Sequence, residues 1–239
     1  MHHTPDEVIS IPGRPGSIPL EVFTPRGAGP FPAVLVIHEM LGLNADMRRI
    51  ARRFADHGYL AACPDLMAAG SRIGCVLSAM RSLRRGQGPQ VEQLTAALDA
   101  LRRRADTAGV GVAGFCMGGG FATLLATHTT LDAAAVFYGD LRPKEEFASA
   151  CPIVAGYGAR DRQFGSKGQR LEAYLAGHGI PHDVRTYADA GHSFMSEAIS
   201  KPLALLVRPW MLVEYNEAAA EDSWRRMLAF FGEHLGGAA

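Results

Sequence analysis

The sequence predicts an α/β fold, a mostly parallel central sheet with helices on both faces. Three observations predict it. Short apolar or β-branched runs alternate with longer amphipathic ones along most of the chain, the pattern of repeated β-α-β units. The run Phe31–Ile37 is apolar almost without a break, as a strand covered on both sides must be. The segments that could carry chemistry each follow a strand, where open α/β sheets gather their sites.

Taken in order, Leu20–Phe23 alternates like an early, half-exposed strand, and Phe31–Ile37 is the first central one. Asp46 to His57 has helical spacing, with Met47, Ile50, Ala51 and Phe54 on one face and Gly58 as the stop. Tyr59 to Cys63 is the next strand, closed by Pro64 and Asp65. Gln90 to Arg104 is helical, with Val91, Leu94, Leu98 and Leu101 turned inward. Strands follow at Val110–Ala113, Ala133–Tyr138 and Ile153–Tyr157, the first two separated by a helix over Gly118–His128. Lys167–His178 reads as a helix, His182–Tyr187 as a strand and Glu217–Leu235 as the closing helix.

A chain of 239 residues, 48% of them hydrophobic, suits one domain over 1–239. Its 24 basic and 24 acidic residues cancel, so no overall field attracts nucleic acid or anionic lipid. The N-terminus lacks a charged stretch followed by an apolar one, and a cytoplasmic location is expected. The apolar stretch Pro202–Val213 is too short to span a bilayer and is interrupted by Arg208 and Pro209. Cys63, Cys75, Cys116 and Cys151 form no C-x-x-C pair, which argues against a disulfide framework or a structural zinc site.

The sharpest signal is Gly114-x-Cys116-x-Gly118, between a short strand and an alanine-rich helix. This is the layout of a nucleophile elbow with sulfur in place of oxygen. Its glycines are needed because the turn is too tight for a Cβ, and the helix start favours an anion such as a thiolate. A nucleophile needs a base, and the base needs a third group to fix it. His192 lies in Asp189-Ala190-Gly191-His192-Ser193-Phe194, just past the last strand. His57, His128, His178 and His234 fall at helix ends, His2 and His3 are terminal, and His182 opens a strand. The acid should follow a strand between nucleophile and histidine. Asp161 does so after Ile153–Tyr157, Asp140 competes after Ala133–Tyr138, and Asp189 reads as a turn residue. Cys116, Asp161, His192 is the nucleophile–acid–base order of α/β-hydrolases.

The loop His38-Glu39-Met40-Leu41-Gly42 can lend the Met40 N–H to an oxyanion, with Met117 as the second donor. Glu39 is either a structural hydrogen-bond acceptor or a working carboxylate. Tyr138 at a strand end, Phe194 beside His192 and Trp210 in the apolar segment are expected, with Arg81, to contact substrate.

Gly114-Phe115-Cys116-Met117-Gly118-Gly119, the His38–Gly42 loop, Asp161 after Tyr157-Gly158, and Gly191-His192-Ser193-Phe194 resemble the dienelactone hydrolase family. The resemblance runs from about Leu20 to Leu235. It implies an α/β-hydrolase fold, a Cys116–His192–Asp161 triad, and hydrolysis of a small-molecule ester or lactone without metal or cofactor. It also implies that Glu39 gates the nucleophile, with the resting thiol turned away from the histidine until substrate binds. Such gating protects a thiolate from oxidation.

Two departures stand out. Founding members bind a substrate carboxylate through arginines, one of them four residues past the histidine; here that position is Ser196. Either Arg81, Arg84 or Arg85 replaces it, or these three form a solvated basic loop. Segment 196–215 is longer and more apolar than a simple connection requires. It is read as a flap insertion, a surface for a second copy in a homodimer, or an extra helix on a monomer's core. A ligand-binding protein that has kept the fold and lost catalysis is the alternative function. A redox role lacks a resolving cysteine nearby, and metal hydrolysis through His38, Glu39 and His192 lacks a ligand spacing.

Overall fold

The computed structural model describes residues 3–14, 16–197 and 212–235. Its strands, in chain order, are β1 (Glu7–Ile11), β2 (Ile18–Phe23), β3 (Phe31–Ile37), β4 (Leu60–Pro64), β5 (Thr107–Phe115), β6 (Ala134–Phe137), β7 (Ile153–Gly158) and β8 (His182–Tyr187). Among the described residues they form one sheet in the order β1-β2-β4-β3-β5-β6-β7-β8. β2 runs antiparallel to β1 and β4, and the remaining pairs from β4 to β8 are parallel. The helices are α1 (Ala45–Asp56), α2 (Arg72–Arg85), α3 (Pro89–Arg102), α4 (Met117–His128), α5 (Lys167–Gly177) and α6 (Glu217–His234). Lys144–Ser149 forms a short 3-10 helix.

The apolar run of β3 explains the layering. Ala33, Leu35 and Ile37 point to one core and Val34 and Val36 to the other, so both faces must be covered. Leu94 and Leu98 of α3, Phe121 and Leu125 of α4, and Leu171 of α5 cover the first face. Ile50 and Phe54 of α1 and Trp224 and Phe231 of α6 cover the second. Phe54 meets Trp224 edge-on at 4.9 Å between ring centroids. Truncating such a fully buried phenylalanine to alanine typically costs about 3–5 kcal/mol.

Three elements depart from the sequence reading. Leu20–Phe23, expected to be half-exposed, is buried along its length in β2, because β1 and β4 flank it and the helices cover both its faces. β1 is an edge strand whose residues are mostly exposed, so it lacks the alternation that marks a half-buried strand. α2 buries Cys75, Ala79, Ser82 and Leu83, largely small or polar, and leaves Ile73 and Leu77 in solvent at 76% and 60% exposure. Its apolar pattern is therefore turned outward, and Arg81, Arg84 and Arg85 lie on a helix rather than in a loop.

No helix among the described residues is long and apolar enough to cross a membrane. Most of segment 196–215, including Trp210, lies outside the described residues. What the fold supplies is a row of strand ends. His38 follows β3, Cys116 follows β5, Tyr138 follows β6, Asp161 comes three residues after β7, and His192 lies in the loop after β8.

Candidate active site

Cys116 sits between β5 and α4 with φ 54° and ψ −115°, a left-handed conformation that non-glycine residues rarely adopt. Its amide donates to the Phe137 carbonyl at 3.1 Å, tying the turn to the neighbouring strand end. The flanking glycines are obligatory. A Cβ at Gly114 would lie 2.0 Å from the Gly118 oxygen, and one at Gly118 would lie 2.1 Å from the Ile37 oxygen. Sequence spacing and geometry here have one cause, the closeness of three backbone segments.

The sulfur lies 3.1 Å from His192 Nε2, and His192 Nδ1 lies 2.7 Å from Asp161 Oδ2. Asp161 is held from behind, because its Oδ1 accepts the Gln163 and Phe164 amides at 3.0 and 3.1 Å. That leaves Oδ2 as the acceptor for an Nδ1–H, so the carboxylate selects the ring's tautomer. The His192 backbone is clamped by donation to the Leu212 carbonyl at 2.6 Å and by a parallel bridge to Val213. The Tyr138 and Phe164 rings stand 5.1 Å from the imidazole. Burial opposes a charge on His192, yet the Cys116 charge and the Asp161 hydrogen bond outweigh it and push the pKa up to about 10. The arrangement sets a sulfur nucleophile against an imidazole that holds a proton well, a pair able to attack a carbonyl and then protonate a leaving group.

Asp140 and Asp189 do not enter this cluster. Asp140 is exposed and ion-paired with Lys167, and Asp189 is exposed. Tyr138 and Ser193 share Cys116's unusual backbone, with φ of 40° and 54°. Both surround the buried carboxyl of Glu39. Burial pushes the Glu39 pKa up, against the pull of His192 and of the Ser193 and Tyr138 hydroxyls. Glu39 Oε1 and Tyr138 Oη are both buried without a hydrogen-bond partner. The resting arrangement implied by the family resemblance, with the thiol turned away from the histidine, is not the one seen: the sulfur already contacts His192. Burial disfavours a charge on Glu39, whereas the imidazole already contacts the sulfur and is well placed to take its proton.

Met117 opens α4, so its N–H belongs to the first turn and has no carbonyl partner within the helix. Met40 lies in the turn closed by Gly42 N–H donating to the Glu39 carbonyl at 3.0 Å. The contacts expected for substrate divide differently. Tyr138 and Phe194 are both fully buried and meet edge-on, with Tyr187 against Phe194, so neither presents surface to a ligand as the sequence reading expected; they support the histidine and Glu39 from behind. Arg81 is exposed on α2. Arg84, with Met80, Gly120 and Asp140, lines a cavity of about 280 Å³ beside the first turn of α4. Trp210 lies outside the described residues.

Ser196, the position where an arginine was missed, is buried and donates to Asp46 Oδ2 at 3.0 Å. The Glu197 amide bonds the same oxygen, and Arg49 bonds Asp46 Oδ1 and the Met195 carbonyl. Ser196 thus clasps the histidine loop to α1, a role invisible in a sequence where the partners stand 150 residues apart. Phe164 is likewise a site residue that no local motif announced, and the motif that contained His38 gave no sign of its partners. The metal reading fails on geometry, since both His38 ring nitrogens are engaged, one with the Glu39 carbonyl and one with the Leu66 amide.

The profile of the dienelactone hydrolase family matches residues 18–235. A Salmonella typhimurium protein provisionally named carboxymethylenebutenolidase is 30% identical, over 99% of this chain and 92% of its own. The carboxymethylenebutenolidase of Rhodococcus opacus is 27% identical over 95% of both chains. A dienelactone hydrolase-like promiscuous phosphotriesterase from metagenomic libraries shares the fold with a TM-score of 0.81, at 24% identity, over 96% of this chain and 98% of its own.

Proposed function

Since the chain belongs to the dienelactone hydrolase family, whose members hydrolyse lactones and esters, we propose that it does so through Cys116 and a thioester intermediate. The thiolate attacks the carbonyl carbon, and the π electrons move to oxygen, where the Met40 and Met117 amides receive the charge. The tetrahedral adduct collapses and expels the alkoxide, which takes the proton from the His192 imidazolium. Water then attacks the thioester while His192 accepts its proton. The second adduct expels the thiolate, leaves the carboxylic acid and restores the pair. Asp161 holds the ring for both steps.

One observation carries this reading, the unbroken run of contacts from sulfur through imidazole to carboxylate at 3.1 and 2.7 Å. It disfavours the silent-binder alternative, which has no use for such a run. All its members stand at the end of one sheet, which supports a single catalytic domain. Since Ser196 is committed to Asp46, the substrate we favour is an ester or lactone without a carboxylate at that subsite.

The test is a burst experiment with p-nitrophenyl acetate. A burst of nitrophenol stoichiometric with enzyme, and one acetyl group on the peptide bearing Cys116, are expected. Undiminished turnover in Cys116→Ala would sink the reading.

A further inference from the structure

We propose that His38 is a positioning residue that aims the Met40 N–H at the oxyanion; this rests on the reading of Met40 as a donor. The ring is 1% exposed and both nitrogens are engaged. Nδ1 lies 2.7 Å from the Glu39 carbonyl oxygen, and Nε2 lies 3.1 Å from the Leu66 amide. An amide N–H can only donate, so Nε2 accepts and the proton of the neutral ring sits on Nδ1. Nδ1–H therefore donates to the Glu39 carbonyl. Burial keeps the ring neutral by holding its pKa below the usual range.

The Glu39 carbonyl and the Met40 N–H belong to one peptide plane, and in a trans peptide they point in opposite directions. His38 Nδ1–H and the Gly42 N–H at 3.0 Å both hold that carbonyl. With the carbonyl held by two donors, the peptide cannot rotate, and the Met40 N–H stays turned to the opposite side. The brace is anchored outside the loop, since Leu66 lies just past β4, the neighbour of β3 in the sheet. Preorganisation of this kind matters because a donor that must reorient during reaction loses most of its electrostatic value.

Two substitutions separate the halves of the brace. His38→Asn retains a donor near the place of Nδ1, and His38→Gln retains an acceptor near the place of Nε2. On p-nitrophenyl acetate, His38→Gln is expected to lower kcat by about 10²–10³-fold, the usual cost of an oxyanion donor, with little change in KM. His38→Asn is expected to recover most of that loss. Iodoacetamide alkylates Cys116 by displacing iodide and forms no oxyanion, so its rate should be unchanged in both variants.

A parallel fall in hydrolysis and alkylation would overturn the inference, as would full kcat in His38→Gln or no recovery in His38→Asn. Should either variant fold poorly, nitrogen NMR of the wild-type His38 ring still decides. An Nδ1–H tautomer supports the brace, and an Nε2–H tautomer overturns it. Hydrolysis surviving in Cys116→Ala would bring down the parent reading, and this inference with it.

Discussion

Replacing Asp161 with asparagine exchanges one carboxylate oxygen for an amide nitrogen, and the surroundings decide which. Oδ1 receives two backbone donors, the Gln163 and Phe164 amides, so the amide oxygen must take that place. The opposite rotamer would set an NH2 group against both N–H donors and leave them unpaired, at about 1–3 kcal/mol each. The amide nitrogen then faces His192 Nδ1, 2.7 Å away in the native protein. Facing a donor, Nδ1 must accept, and the neutral ring carries its proton on Nε2, against the sulfur. A ring protonated there cannot take the thiol proton. The same change of tautomer in serine triads costs about 10⁴-fold in kcat. Here about 10³–10⁴-fold is expected, or roughly 4–5.5 kcal/mol of barrier at 1.36 kcal/mol per tenfold. The assay is steady-state hydrolysis of p-nitrophenyl acetate at neutral pH, with thermal melts beside it. Asp161→Asn should melt close to wild type because both backbone bonds survive. Asp161→Ala, which orphans them, should lose about 2–6 kcal/mol of stability. An asparagine variant within tenfold of wild-type kcat would refute this account of the tautomer.

Gly118→Ala sets a methyl 2.1 Å from the Ile37 carbonyl oxygen, and a loss of about 3–5 kcal/mol, or roughly 6–20 °C in Tm, is expected by thermal melt. Gly177→Ala, with nothing within 4 Å of the added carbon, is the control and should melt within a few degrees of wild type. His192, with its folded-state pKa near 10 against an ordinary 6.5, contributes stability that is complete below pH 6.5 and fades as pH rises through about 10. In Cys116→Ala the strongest raising influence is gone, so NMR should find the His192 midpoint lower; an unmoved midpoint would contradict the thiolate–imidazolium pair. Glu39, raised by burial, weakens the fold as pH climbs past the ordinary carboxylate range, because the unfolded chain ionises first. Glu39→Gln should therefore gain in Tm over wild type between pH 5 and pH 8, by roughly a few degrees, and a gap that shrinks with pH would refute this.

The parts of the fold legible in the sequence were those with local causes. Phe31–Ile37 declared itself by an apolar run, α1 by Met47, Ile50 and Phe54 on one face, and the elbow by Gly114 and Gly118, each two residues from Cys116. α2 escaped because Ile73 and Leu77 face water while Ser82 and Ala79 face the core, the reverse of the usual pattern. β1 escaped because an exposed edge strand has no buried face to mark its period. Within the site, Cys116, His192 and Asp161 stood out as residues at strand ends. The supporting groups did not, since they act through space. Leu66 braces His38 from 28 residues away, and Ser196 reaches Asp46 across 150. The location of a side chain in the fold, rather than its neighbours along the chain, makes it a support.

Cys116, Tyr138 and Ser193 hold their backbones where glycine would be more comfortable, each at a cost of about 1–3 kcal/mol. All three lie around one carboxyl and one imidazole, so the molecule concentrates its discomfort where bonds are to be broken. Anyone breeding a heat-resistant version should expect selection to drift toward glycine at 193 but not at 138, where losing a fully buried ring would cost more than the relief of strain returns. That gain in durability at 193 would come out of the enzyme's working parts.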